Sequence, residues 1–296
     1  MQKDKIIFNQ ARDFSEKLND TFSFLRQNFK NLSTTVLFVA GPFTLIGGIF
    51  LGLYQSQVFK SGFLKQTSLS DRFQNIFGIE YLMGILFSMI SLSIVSIVVN
   101  EYIRLYNEDK TENFQWQDVL PGVKSNFLPI FLYGIGYAIL VMIGMMLLIF
   151  PGVYLAIALS FLFSVKMFEG KGFFESVSRC LNLIKGNWWA TFGLLFVLSI
   201  IQGLLSFIFQ IPAFISGIVM GIQGLKNEAS GGSDFFLIIA TIISTTGSQL
   251  LYTVSIVGLI FQYFNLVEEK DATGLLGRID SIGKTPDVKT SNEESY

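Results

Sequence analysis

The feature that most constrains this chain is where its charged residues are missing. No Asp, Glu, Lys or Arg occurs between Lys30 and Lys60, Glu80 and Glu101, Lys124 and Lys166, Lys185 and Lys226, or Asp234 and Glu268. Each gap reaches about 20 residues, the length a helix needs to cross a hydrocarbon core of roughly 30 Å. In lipid every backbone N–H and C=O must be bonded within the segment, which makes such runs helices. Charged residues form only 15% of the 296 and hydrophobic ones 51%, where soluble domains carry roughly 25% charge. So few charges cannot cover a water-facing surface of this size. The expected class is all-α, a polytopic helical membrane protein with six transmembrane helices and amphipathic interfacial helices.

The count of six comes from punctuation and loop charge. The gap after Lys124 holds 41 residues and contains Phe150-Pro151-Gly152. Proline removes a backbone donor and glycine supplies turn geometry, so the tripeptide is expected to split the gap into two helices. The spans are then about 33–55, 80–101, 126–149, 152–168, 189–211 and 238–264. Two gaps exceed one crossing: the fourth has Pro212 past its middle, with 213–222 as a candidate second segment, and the last carries Thr245 to Gln249 at its centre. Treating either one as a hairpin changes the parity of every later segment. Cytoplasmic loops are enriched in Lys and Arg; six spans with both ends inside place 17 basic residues inside and 4 outside. Splitting one gap weakens that bias. Both termini are expected to be cytoplasmic, the first span acting as an uncleaved insertion signal.

The chain then divides into three regions: residues 1–31 as an amphipathic cytoplasmic helix, 32–267 as the six-helix domain, and 268–296 as a polar tail, disordered from about 284. In the first, Ile7, Ala11, Phe14, Leu18, Phe22, Leu25 and Phe29 fall three and four apart on one face. That face either sinks into the headgroup boundary or packs on the protein's own loops. A second amphipathic stretch, 171–185, places Glu175 and Arg179 for an i,i+4 pair. A third, 114–123, is interrupted by Pro121 and Gly122.

A tetrapeptide signature of basic, any residue, Asn and aromatic precedes three outward-going spans: Arg26 with Asn28 and Phe29, Lys124 with Asn126 and Phe127, Lys185 with Asn187 and Trp188. The cation suits anionic headgroups, the Asn a helix start and the aromatic the interface, so these are expected interface anchors.

The chain has no His and a single cysteine, Cys180. This removes His-based metal centres, Ser-His-Asp and Cys-His catalysis, and internal disulfides. A net charge of −1 gives no basis for a nucleic-acid partner. No carboxylate lies at any expected midplane, which argues against a proton- or sodium-coupled pump. Central polar groups are Ser88, Ser91, Ser93 and Ser96 in the second span, Gln202 in the fifth, and Thr245 to Gln249 in the sixth. They are expected either to bond between helices or to line a solute path.

The stretch from Phe150 to about Leu195 resembles the membrane domain attached to some bacterial glycerophosphodiester phosphodiesterases, and its stand-alone relatives of unknown function. The likeness rests on Phe150-Pro151-Gly152, Glu169-Gly170, Arg179, Leu183 and Lys185-Gly186-Asn187-Trp188. Cys180 stands where that family usually has Ser, and Ser176 where it often has Ala. The resemblance implies a six-helix membrane module; the phosphodiesterase barrel is absent, so its activity is not carried over. Glu169, Arg179, Lys185 and Trp188 gather near the expected cytoplasmic face and form a candidate lipid-headgroup or partner site, with the two cations taking a phosphate.

The expected function is a non-enzymatic scaffold or accessory module in envelope or lipid processes, without cofactors, whose partners are membrane lipids and other membrane proteins. The alternative is a transporter or flippase for a lipid-like or small solute. The two separate on one feature: transport needs a polar cavity among the second, fifth and sixth spans, and a scaffold is packed shut there.

Overall fold

A computed structural model describes residues 5–61, 78–108, 114–226 and 232–272. The expected disordered tail and the basic residues Lys65 and Arg72 lie outside them. The described residues form helices α1 (Phe14–Val39), α2 (Gly41–Ser61), α3 (Ile79–Asn107), α4 (Leu120–Leu147), α5 (Ile149–Ala158), α6 (Leu162–Glu169), α7 (Phe173–Ile184), α8 (Trp188–Lys226) and α9 (Ser233–Asp271). Among them there is no strand. Five stretches are long and apolar enough to cross a membrane: α3, α4 with its preceding turn, α5 with α6, α8, and α9. The bent pair α1 and α2, meeting at 60°, gives a sixth when taken as one span. The protein is an all-α, multi-pass membrane protein.

Several breaks fall elsewhere than the sequence suggests. The Asp13 side chain accepts from the Glu16 amide, and the Glu16 carboxylate returns the bond to the Asp13 amide. This capping box starts α1 at Phe14, so Ile7 and Ala11 lie outside the helix. Its far end is Val39, not residue 31, because Pro42 lacks the N–H that would continue the ladder. The α4–α5 break falls at Leu148, which is extended (φ −163°, ψ 151°). Phe150, Pro151 and Gly152 lie in the first turn of α5, where a missing N–H has no intrahelical partner to lose. Gly152 is a contact residue: a Cβ there would stand 2.7 Å from the Met145 backbone nitrogen, and one on Gly144 would stand 2.9 Å from the Gly152 Cα. Likewise Pro121 begins α4 and does not interrupt it. Neither long gap is a hairpin: α8 continues through Pro212 and α9 through Thr245 to Gln249.

Polar contacts sort the helix ends. Lys5 Nζ donates to the Asn107 carbonyl at 3.3 Å, the Arg12 amide to Asn265 Oδ1 at 2.7 Å, and Tyr102 to Asn28 Oδ1 at 2.9 Å. The start of α1, the end of α3, α7 and the end of α9 therefore share one end of the bundle, which we call the network end. Gln57 donates to Glu80 at 3.0 Å at the opposite end. At the network end residues 5–13 form a strap in which the fully buried Phe8 meets Phe24, Tyr106, Phe261 and Phe264.

Candidate functional site

The residues singled out from the sequence sit at the network end, but they serve structure more than an open anion site. Arg179 does not pair with Glu175, which instead accepts from the Gly172 amide. Arg179 Nε reaches both oxygens of Glu169 at 3.0 and 3.1 Å, and its terminal nitrogens meet Asp271. Lys171 and the Tyr263 hydroxyl complete the ring around Glu169. Burial pulls the Arg179 pKa down, yet Asp271 and Glu169 outweigh it and the net shift is upward. Two carboxylates, Glu169 and Asp271, already pair with Arg179. Lys185 is exposed at the far end of α7, where its carbonyl accepts from Lys270 at 3.0 Å.

Trp188 stacks between Tyr154 and Phe192, and its Nε1 donates to the Tyr154 carbonyl at 3.4 Å. Trp189, 76% exposed, is the outward aromatic. The three Asn of the repeated signature do different jobs. Asn28 and Asn126 lie inside helices and donate back to the Phe24 and Gly122 carbonyls, so neither caps a helix start. Asn187 precedes α8, and its side chain donates to Glu269 at 2.9 Å. Arg26, Lys124 and Phe29 point outward, Phe29 with 67% of its surface free, and Phe127 stacks on Phe131. On α1 the side chains of Phe14, Phe22 and Phe29 are exposed, whereas Thr21, Phe24, Leu32 and Val36 are buried.

Some of the central polar residues take the roles expected of them, while Ser88 and Thr245 donate back to the Gly84 and Ile242 carbonyls of their own helices. Thr44 bonds to Ser91 at 2.6 Å and to Gln249 at 3.1 Å, tying α2, α3 and α9 together. Ser93, Ser96, Gln202 and Ser248 instead line a cavity of 830 Å³ enclosed by α3, α4, α5, α6, α8 and α9. That volume is within the range of about 300–1,000 Å³ typical of small-molecule sites.

The cavity is built on helical spacing. Ser93, Ser96 and Asn100 lie at i, i+3 and i+7 on α3; Ser199, Gln202, Ser206 and Gln210 continue the same spacing on α8; Ser248, Tyr252 and Ser255 lie at i, i+4 and i+7 on α9. Each set occupies one face of its helix and the three faces converge. Ser255 donates to Gln202 across the α8–α9 seam. Between these ladders the walls are apolar, with Leu92, Leu195, Leu259, Phe131 and Phe163. No Asp, Glu, Lys or Arg lines the cavity among the described residues. Asn100, Ser199, Ser206, Gln210, Tyr252 and Ser255 were missed in the sequence; the 3.6-residue recurrence of polar groups inside apolar helices is the signal that finds them.

Comparison with protein-family models, with curated proteins and with solved structures finds no match for this chain. Its chemistry is read from the site itself.

Proposed function

We propose that this protein passes an uncharged small or lipid-like solute through the membrane by way of the cavity between α3, α8 and α9. The observation that supports this reading is the convergence of three polar ladders on one uncharged cavity. An accessory scaffold has no use for an open volume among those helices, where close packing would add stability. Without a carboxylate beside the path, passage is downhill and uncoupled to protons or sodium. The hydroxyls of the cavity have no basic partner to activate them, which favours binding over catalysis. We place the protein in a bacterial inner membrane on its likeness to bacterial membrane domains, and its network end in the cytoplasm on the distribution of Lys and Arg. The likeness of residues 150–195 to phosphodiesterase membrane domains suits a lipid setting. The outward stripe of α1 would lie on the leaflet, with Arg26 and Lys30 near anionic headgroups.

The test uses Gly203, whose ideal Cβ meets nothing within 4 Å and points into open space. Gly203→Leu projects a side chain into the cavity wall at a position where a Cβ meets no neighbour. In proteoliposomes holding an NBD-labelled acylglycerol, wild type is expected to make inner-leaflet label accessible to dithionite, and Gly203→Leu to stop this. Wild-type rates equal to those of protein-free vesicles would discard the reading. A reporter fused after Tyr296 that is active only in the periplasm would discard the orientation.

A further inference from the structure

A second cavity adjoins the first and shares one residue with it. It holds 560 Å³ between α2, α8 and α9, lined among others by Gln55, Gly217, Gly221 and Ser244, and Gln210 borders both cavities. The helix faces run on from one into the other. On α8 the face that carries Gln202, Ser206 and Gln210 continues in steps of three and four into Ala213, Gly217 and Gly221. On α9 the face of Ser255, Tyr252 and Ser248 continues into Ser244. Thr241, three residues before Ser244, donates to Gln55 at 3.2 Å. One face of each helix therefore lines both volumes.

Contacts between helices set the depth. Thr44 bonds Ser91 and Gln249, and Ser91 stands at the centre of the uncharged run between Glu80 and Glu101. The Phe209 ring lies against Gly247, which sets Gln210 within about one turn of that level. From there Asn100, in the first cavity, lies about 13 Å along α3 towards the network end. Gln55, in the second, lies about 16 Å along α2 the other way. Together the cavities reach over roughly 30 Å, the thickness of a hydrocarbon core, and Gln210 stands near its middle.

Gln210 suits that position chemically. It is exposed, and its carboxamide makes no hydrogen bond among the described residues. In hydrocarbon an unbonded amide is costly, so an amide at this depth belongs beside water or a polar solute. It offers a donor and an acceptor at once. Among the described residues, no charged side chain lines either cavity. A neutral hydroxyl or amide group can pass Gln210 with its bonds matched, whereas a charged group would meet no countercharge. Ile208 supplies the contrast: two residues away on the other side of α8 and 62% exposed, it lines neither cavity.

We propose that the two cavities are halves of one path across the bilayer, and that Gln210 is the contact by which a solute's neutral hydroxyl or amide group moves from one half to the other. This rests on the passage reading and adds to it the second half of the route and its central residue.

Added cysteines test it in phosphatidylcholine proteoliposomes treated with iodoacetamide, which attacks only the thiolate, a form that apolar surroundings suppress. Gln210→Cys is expected to react at least about tenfold faster than Ile208→Cys; wild type, with only the buried Cys180, gives the background. In the dithionite assay Gln210→Leu should slow passage about three- to tenfold, the loss of one neutral hydrogen bond. Gly221→Leu projects into the second cavity where an ideal Cβ meets nothing within 4 Å, and should slow passage as Gly203→Leu does. Equal reaction at positions 208 and 210, or wild-type passage in either Gln210→Leu or Gly221→Leu, overturns the proposal. If Gly203→Leu alone stops passage, the second cavity lies off the route and the passage reading stands. If the cysteine at 210 reacts as expected and wild type carries no label across, the passage reading falls and the join of the two cavities stands.

Discussion

The Tyr263 hydroxyl donates to Glu169 Oε1 at 2.9 Å, joining the last turns of α9 to the end of α6. The same carboxylate holds Arg179, which in turn holds Asp271. The short helix α7 is thereby tied to both α6 and α9 through the Arg179 guanidinium. Arg179→Ala is expected to cost about 2–3 kcal/mol, at or below the bottom of the range for breaking a buried pair, because Asp271 is partly open to solvent. Arg179→Lys should recover less than half of this, since an ammonium cannot serve two carboxylates in fork geometry. Thermal unfolding in detergent measures both, and a lysine variant as stable as wild type would show that charge alone suffices.

The approach of α5 to α4 depends on Gly152. A Cβ there would lie 2.4 Å from Met145 Cγ and 2.7 Å from its backbone nitrogen, which cannot step aside. Gly152→Ala is therefore expected to lose about 1–3 kcal/mol despite its better helix propensity. Gly134→Ala, with 3.6 Å of room, should be neutral or slightly stabilising. Chemical denaturation of the two variants side by side is the measurement; equal stability would mean α5 is free to shift.

Thr44 is the polar link between three helices, yet its energetic effect should be small. Side-chain hydrogen bonds inside bilayers average about 0.6 kcal/mol. Thr44→Val is expected to cost about 1 kcal/mol, and Gln249→Ala added to it little more. A double-mutant cycle reads the coupling, and a value above about 2 kcal/mol would assign this trio a larger role.

Cys180 on α7 is fully buried, and burial pushes its thiol up to about 12, with the nearby Glu169 carboxylate adding to the shift. The thiolate is disfavoured in the fold, so this contribution to stability is fully present below the unfolded thiol pKa of about 8.5. It is lost as pH rises from there towards 12. At pH 8 the folded protein should resist maleimide, and denaturant should expose the single thiol. Labelling at equal rates with and without denaturant would show that α7 is detached.

The crossings were legible because hydrocarbon thickness and backbone bonding leave few choices for a long uncharged run. Local signals misled where their position within the helix mattered. Pro151 and Pro121 sit in first turns, where proline breaks nothing, and Pro212 is carried through by the rest of α8. Ion-pair choice was not legible: Arg179 prefers Asp271, 92 residues away, to Glu175 on its own helix. Part of the cavity was in view as Ser93, Ser96, Gln202 and Ser248. Asn100 escaped notice because it sits beside Glu101, at what reads as the end of a span, and only the packing of α3 turns it inward.

The strap and the first turn of α1 meet α9 across some 250 residues of sequence: the Arg12 amide bonds Asn265, and Lys17 bonds Gln262 at 2.9 Å. Contacts of such sequence separation are the last a growing polypeptide can make. A ribosome that stalls before α9 thus releases a product whose opening residues still lack their carboxamide partners. Whether α9 has been made is recorded in the contacts of residues 12 and 17.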